Sequence, residues 1–552
     1  MTHRIRSRQW SRRLLIGTAI LGIAATGASA ADAPNIDRLY PAGGQLGTSV
    51  NIQLGGKPGD ESLRSWSDSG QLQITIAEDK KFATIVIPED AQPGVHWLRF
   101  FNASGASVLR PFIVGHIAET VEEESNDLLD QADKISDDAV TINGVLSQAG
   151  DVDICRIRVP AGRTLVASMQ ANGELGSPMD ASLQLLNEAG TVIAQNDDDH
   201  GMDPQIAFTV QKEGFFYIRT FAFPSTPNST VKLAGAENYV YRLTLTHGPF
   251  IDHILPAVVD HRSGSAVTVC GWNLTEQLQT AGLTAFGGQQ TYFGREFALP
   301  HNVYGVKHSS YVESAESRAM AVNSSITGRI AVPDEKDVYT LPGVKDQKLV
   351  VSVQARAFHS LLDPVLMITA ADGRVLAEAD DGGAATYDSE TNITVPTDGL
   401  LKFSVEDRFG DGGFRYFYTL TCAIPQPAFS ATLSANQYLI NNSEAVEVPV
   451  TITRTNGYAE RLTVSVERLP EGVTAEPAFS EKDGDSSKAV TLKLIRDENA
   501  PPFCGPIQVL CQAAGSNHPR SATAAIENST ATTSDIWLTV MPGEETLSED
   551  GG

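Results

Sequence analysis

Residues 180–198, DASLQLLNEAGTVIAQNDD, recur without a gap as residues 363–381, DPVLMITAADGRVLAEADD. Gly190 matches Gly373, and Asp197 matches Asp380. Each copy is followed by an apolar run after a Gly, GFFYIRTFA from Gly214 and GLLKFSVED from Gly399. Each then closes on a Tyr-x-Leu-Thr segment, YRLTLT from Tyr241 and YTLTCA from Tyr418. A second repeat lies around the first. Pro34-Asn35-Ile36-Asp37-Arg38-Leu39-Tyr40-Pro41-Ala42 has the spacing of Pro249-Phe250-Ile251-Asp252-His253-Ile254-Leu255-Pro256-Ala257. Both continue to a Gly (Gly47, Gly264) and an alternating apolar segment, VNIQLGG or VTVCGWN. Internal repeats settle architecture more firmly than local propensity does.

Outside the repeats the same texture continues. Short β-branched and aromatic runs of alternating polarity, such as KFATIVIP, DICRIRVP, KLVVSVQA and RLTVSVERL, are divided by Gly, Pro, Asp and Asn. Turn signals roughly every 8–12 residues read as antiparallel β-sandwiches. The short piece SNDLLDQADKI is the one modest helix candidate. The expected fold is therefore all-β, an A–B–A′–B′–C array of tandem sandwiches, Ig-like and jelly-roll-like. The expected segments are A over 31–115, B over 116–248, a shortened A′ over 249–308, B′ over 309–424, an Ig-like C over 425–541 and an acidic tail over 542–552.

Arg4, Arg6, Arg8, Arg12 and Arg13 precede the apolar run LLIGTAILGIAATG and the small-x-small site Ala28-Ser29-Ala30. That is the layout of an export signal over 1–30, of either the general secretory or the twin-arginine kind. Its removal takes five positive charges from a chain of formal net charge −26, leaving −31. Such a charge argues against nucleic acid or an anionic membrane surface as partner and favours cations. No later stretch is long and apolar enough to span a membrane. The five cysteines, Cys155, Cys270, Cys422, Cys504 and Cys511, are scattered and read as core thiols. Only Cys504 and Cys511 are close enough in sequence to suggest a disulfide.

TVEEESNDLLDQADKI, residues 120–135, carries the chemistry. In an extended segment Glu122, Glu124 and Asn126 share a face, each roughly 7 Å from the next. Asp127 can join if the chain turns. Asp151 and Asp153, in Gly150-Asp151-Val152-Asp153, form a second i, i+2 pair. Carboxylates and an amide carbonyl are hard oxygen donors of the kind Ca²⁺ takes six to eight of. No Cys or His lies in the linker, which disfavours zinc and copper. A solvated acidic linker is the competing reading.

These residues also carry a resemblance. The Glu122-x-Glu124-Ser125-Asn126-Asp127 and Asp151-x-Asp153 motifs, the Asp180–Asp198 segment and the closing Tyr-x-Leu resemble the bacterial pre-peptidase C-terminal domain, a small jelly-roll-like sandwich. The match covers 116–248 and, more loosely, 309–424. The A segments are similar to IPT/TIG-type Ig-like domains. The tandem resembles large secreted proteins of planctomycete-type bacteria. The resemblance implies calcium held by Glu122, Glu124, Asn126, Asp127, Asp151 and Asp153. The second copy departs from the pattern. Glu313 and Glu316 are three apart, no Asn-Asp follows, Asp334 and Asp337 are also three apart, and Arg318 brings its own positive charge. A lost or weak site is expected there.

Asp197-Asp198-Asp199-His200 reads as a solvated hairpin loop, with a second cation or a catalytic histidine as the sharper alternatives. The Asp407–Asp411 segment reads as a turn rather than a calcium loop. Trp66, Trp97, Trp272 and Trp537 read as core rather than sugar platforms. No HExxH, GxSxG, P-loop or GxGxxG pattern is present. The expected function is a secreted, non-catalytic, calcium-binding array that contacts an extracellular or envelope protein, matrix or polysaccharide. A peptidase-associated or other secreted hydrolase, and a carbohydrate- or collagen-binding module, are the alternatives.

Overall fold

The computed structural model describes residues 32–542 apart from 60–61, 227–231, 287–289, 315–317, 382–386 and 442–443. The export signal expected at 1–30, Glu316, and all but the first residue of the acidic tail lie outside these. The described chain is all-β, and its sheets pack in pairs. None of the sheets mixes strands from two of the segments A, B, A′, B′ and C.

Sandwich formation follows from alternation. Strand Ala489–Arg496 alternates exposed and buried residues along its whole length, so one face is apolar and must be covered. A second sheet in the same segment supplies the cover, and Val448, Val450, Leu492, Leu494, Ile507 and Val509 meet between them.

The B and B′ segments share one strand order. In B the first sheet runs Ala118–Val121, Ala139–Val145, Val240–Thr246, Thr164–Gln170, Gln205–Thr209. In B′ it runs Ser309–Val312, Ser324–Arg329, Phe417–Ala423, Lys348–Gln354, Ser389–Thr394. The repeated stretch is a hairpin in the facing sheet of both. Leu185 pairs with Ala194 and Ile368 with Ala377, and each hairpin slips register one residue further on. The gapless sequence repeat is thus a repeat of register.

Asp203 and Asp388 serve a matching turn in each. The Asp203 carboxylate accepts from the backbone N–H of Ala171 (3.1 Å), Asn172 (2.7 Å) and Gly173 (3.0 Å), at the start of the helical turn Asn172–Leu175. Asp388 does the same for Ala355, Arg356 and Ala357. An Asp203→Ala variant is expected to lose about 1–2 kcal/mol in urea denaturation, the cost of an N-cap. An unchanged midpoint would mean that water caps the turn equally well.

Two expectations need correction, and one pairing left open is resolved. The piece SNDLLDQADKI forms no helix. A turn closed by the Gln131 N–H on the Leu128 carbonyl leads instead into strand Asp133–Ile135, which pairs in parallel with Asp153–Val159. Leu128 is 58% exposed, so the piece has no apolar stripe to bury, and the open sheet edge captures it. Cys504 and Cys511 do not pair; all five cysteines are free. They lie on one strand, Phe503–Ala513, and an extended strand holds residues seven apart roughly 23 Å from each other. The Asp197–His200 loop is not solvated throughout. Asp197 and Asp198 are exposed, but the Asp199 side chain is 2% exposed and pairs with Arg415 of B′ at 2.8 Å.

Segments A and C also meet. Trp537 of C is 1% exposed, with the Phe101 ring 4.9 Å and the Trp66 ring 5.8 Å away in A. The Arg99 guanidinium lies 5.3 Å over the Trp537 ring and donates to Asn436 Oδ1 at 3.1 Å. Trp537 is core, as its sequence setting suggested, and the core it completes is a seam between segments.

Candidate metal centre

The acidic stretch enters along strand Ala118–Val121, which pairs in parallel with Ala139–Val145. Regular pairing ends at Val121. Glu122 extends it by one bond, its N–H donating to the Asn143 carbonyl at 3.1 Å, and then the chain bends. Simple strand alternation therefore does not place the later residues. The bend does, and it brings most of them together in another way.

Glu122 is fixed at both oxygens. Oε1 accepts from the Val145 N–H at 2.6 Å, and Oε2 lies 2.9 Å from the Tyr241 hydroxyl. That hydroxyl also lies 2.6 Å from Asp153 Oδ2. One phenol proton cannot serve two carboxylates, so Glu122 Oε2 and Asp153 Oδ2 share a single donor between them. Gly144 is where it is because a Cβ there would overlap the Tyr241 phenol and the Glu122 carboxylate.

Glu124, Asp151 and Asp153 each offer a carboxylate oxygen, and these lie within 4.8 Å of one another. Oxygens bound to one Ca²⁺ at 2.3–2.6 Å stand up to roughly 5 Å apart, so the spacing fits. Asp151 is held by the Ser147 N–H and hydroxyl and by the Val152 N–H. Asn126 is 1% exposed and Asp153 is 4% exposed. Asn126 Oδ1 and Asp153 Oδ1 are buried oxygens with no hydrogen-bond partner. Glu122, Asn126, Asp133, Asp153 and Tyr241 line a cavity of about 10 Å³, the room of one small occupant. Two buried acceptors without a donor, beside several carboxylates, have the chemistry of a cation site rather than of a hydrogen-bond network.

The electrostatics agree. Burial pushes Asp153 well up from the ordinary carboxylate range, and the Glu122 charge adds to it. Burial raises Glu122 too, partly offset by its hydrogen bonds. Burial and then the Asp151 charge raise Glu124. A divalent cation would offset both the burial of these charges and their mutual repulsion. Cys155 lines the cavity but is not a competing ligand. Its Sγ faces the Ile218 carbonyl at 3.9 Å, and burial, then the Asp133 and Asp153 charges, push its thiol up.

Of the six residues taken from the sequence, Glu124, Asp151 and Asp153 bring carboxylate oxygens together, and Asp153 shares the cavity with Glu122 and Asn126. Asp127 joins neither group. It is exposed, and its Oδ1 accepts from the Val152 N–H at 3.4 Å, which spends it on the loop. Two participants escaped sequence reading. Asp133 accepts from the Glu123 N–H at 3.1 Å and, more weakly, from Asn126 Nδ2. Tyr241 is the first residue of the repeated Tyr-x-Leu motif, and that recurrence was the available signal. Tyr40 reaches in from segment A, its hydroxyl donating to the Asn143 carbonyl at 3.3 Å. Burial and the Glu122 and Asp153 charges raise it, so the cluster sits at the A–B boundary.

The second copy solves the same problem with its own atoms. Arg329 N–H donates to Glu313 Oε1 as Val145 does to Glu122. The Tyr418 hydroxyl donates to Asp337 Oδ2 at 2.7 Å, as Tyr241 does to Asp153. Gly328 stands where Gly144 does, tight against the Tyr339 and Tyr418 hydroxyls. Into this pocket comes the Arg318 guanidinium, which pairs with Asp337 and lies 3.7 Å from Glu313. Asp334 packs on Gly410, its N–H donating to the Gly410 carbonyl and its carboxylate lying against that glycine.

No family model matches this chain, and no curated protein matches it. Solved structures do. The pre-peptidase C-terminal domain of a collagenase from Bacillus anthracis is 19% identical, over 20% of this chain and 97% of that one, with a TM-score of 0.16. The fibronectin(III)-like modules of Clostridium thermocellum CbhA are 12% identical, over 39% of this chain and 99% of theirs, with a TM-score of 0.13. The N-terminal four Ig domains of Dscam1 isoform 7.44 are 10% identical, over 93% of this chain and 99% of that one, with a TM-score of 0.21. Scores this low carry no argument about this chain. Its own sheets and the cores between them define its class, an all-β array of tandem sandwiches. No described helix is long and apolar enough to cross a membrane.

Proposed function

We propose that this protein is an exported, non-catalytic array of sandwiches whose first B segment holds a calcium ion at its boundary with A. Glu122, Glu124, Asn126, Asp151 and Asp153 are its ligands, with Asp133 orienting Asn126. The ion stiffens the junction and so sets the angle at which the array meets an extracellular or envelope protein, matrix or polysaccharide. One observation carries this reading: B leaves Asn126 Oδ1 and Asp153 Oδ1 buried without a partner, whereas B′ fills the equivalent place with Arg318. A net charge of −31 in the exported chain disfavours nucleic acid as the partner. His200 packs its ring 4.4 Å from His359, a poor position for a base that must reach substrate.

Thermal melting in Ca²⁺ and in chelator tests the site. At a hundredfold excess over Kd the ion should add about 2.7 kcal/mol to the segment it binds. Glu124→Ala, which removes an exposed ligand and little packing, should abolish most of that shift. Equal midpoints with and without calcium would reject the proposal.

A further inference from the structure

Arg415, in the loop before strand Phe417–Ala423 of B′, is the hub of a second charged cluster. It pairs with Asp199 of B and with Asp252 of A′, each at 2.8 Å, and both carboxylate side chains are 2% exposed. Three segments therefore meet at one guanidinium. Histidines surround it. From B comes His200, half-buried, with the ring of His359 of B′ standing edge-on at 4.4 Å. From A′ come His253 and His301. His253 is 2% exposed, with Nδ1 2.7 Å from Asp252 and its ring stacked at 4.1 Å on Phe417. His301 is half-buried and opens strand His301–Val306. Arg356, on the same B′ turn as His359, is the remaining charge that Asp199 senses.

At neutral pH the ion triad Asp199–Arg415–Asp252 and the uncharged rings of His200, His301 and His359 fit together. Acid changes that. A proton on His200 puts a cation beside His359 and Arg415 in a half-enclosed space, and a second on His301 or His359 compounds it. Enclosure, then the neighbouring His359 and Arg415, hold His200 below the usual histidine value. Enclosure and His253 do the same for His301. Enclosure and Arg415 do so for His359. Asp252 is held low against its burial by His253 and Arg415 and stays charged, whereas burial raises Asp199, whose protonation in the closed joint offsets part of the histidines' effect.

We propose that the contact between B and the A′–B′ half is an acid-released joint, in which protonation of His200 and its neighbouring histidines frees B from Arg415 and His359. The sign follows from linkage. These histidines hold protons more weakly when the joint is closed, so closure is fully favoured above the free value of about 6.5 and is lost progressively below it. Each such histidine raises the opening constant by up to about tenfold per pH unit on the way down, less for the more exposed His359.

Hydrogen exchange on the full chain, in saturating calcium and corrected for intrinsic rates, reads the opening. Between pH 6.5 and 4.5 the opening constant of residues 196–203 and 414–417 should rise by about tenfold to a hundredfold per unit, while residues 141–145 beside the calcium site change little. In His200→Gln/His359→Gln the slope should fall by at least half on a logarithmic scale. Flat protection in the wild type, or an undiminished slope in the variant, would overturn the proposal. Should the double variant already be unprotected at pH 7.5, His301→Gln alone must still reduce the slope, and an unchanged slope there would overturn it equally.

Discussion

Arg318→Ala should cost B′ about 3 kcal/mol of stability in chelator, and millimolar calcium should restore part of it. The loss follows from what the substitution leaves behind. Asp337 is fully buried, and its partners are the Arg318 guanidinium and the Tyr418 hydroxyl. Removing one member of a buried ion pair typically costs 3–5 kcal/mol, because the other charge stays desolvated. The lower end applies because the Arg318 side chain is 36% exposed, and water can take some of its place. The restoration follows from the match between the two pockets. With the guanidinium gone, Glu313, Asp337, Tyr339 and Tyr418 present carboxylates and hydroxyls around a vacated cationic position, much as Glu122, Asp153 and Tyr241 do in B. The measurement is urea denaturation of Arg318→Ala in a Glu124→Ala background, so that only B′ can answer to calcium. A variant as stable as its parent would mean that the pair contributes nothing. A destabilised variant that ignores calcium would mean that B′ lacks ligands for an ion, and that Arg318 is an ordinary salt bridge.

Where the sequence was legible, the reason is periodicity. The hairpins at Asp180 and Asp363 repeat a register, and a register writes itself into sequence as alternation at a fixed offset. The converging oxygens were legible through composition, since Glu122, Glu124, Asn126, Asp151 and Asp153 are the residue types hard cations need. The route by which they converge was not. Strand pairing stops at Val121, and the bend after it depends on the bonds of Glu122 to Val145 and Tyr241, which are 23 and 119 residues away. The seam around Trp537 and the joint around Arg415 were illegible for the same reason. Each is assembled from residues hundreds of positions apart, and no local pattern marks Asp199 as a partner for Arg415 rather than for water.

The largest pH effect should appear in chelator, and its direction is opposite to that of the histidine joint. Without an ion, Glu122 and Asp153 face each other across one phenol, and both hold a proton more firmly folded than unfolded. A carboxyl raised in this way contributes stability that is fully present below its unfolded value of about 4 and is lost as pH rises toward the raised folded value. While one such proton titrates, the slope is about 1.4 kcal/mol per pH unit, so B should lose about 4 kcal/mol between pH 5 and 8. Calcium should flatten this dependence, because the ion takes the place of the proton and releases it on binding. Asp153→Asn supplies the control. Its amide keeps the shape, needs no proton and removes one of the two charges, so in chelator the variant should keep only the shallower dependence that burial of Glu122 imposes and, at pH 8, be more stable than the wild type. It should also lose calcium response, since an amide is the weaker ligand and the site forfeits a charge. Urea denaturation of wild type and Asp153→Asn across this range, with and without calcium, decides the matter. If the wild type in chelator grows no less stable from pH 5 to 8, or if calcium leaves the slope as it was, then the buried carboxyls are neutralised by something other than a proton or an ion, and the account of this site fails.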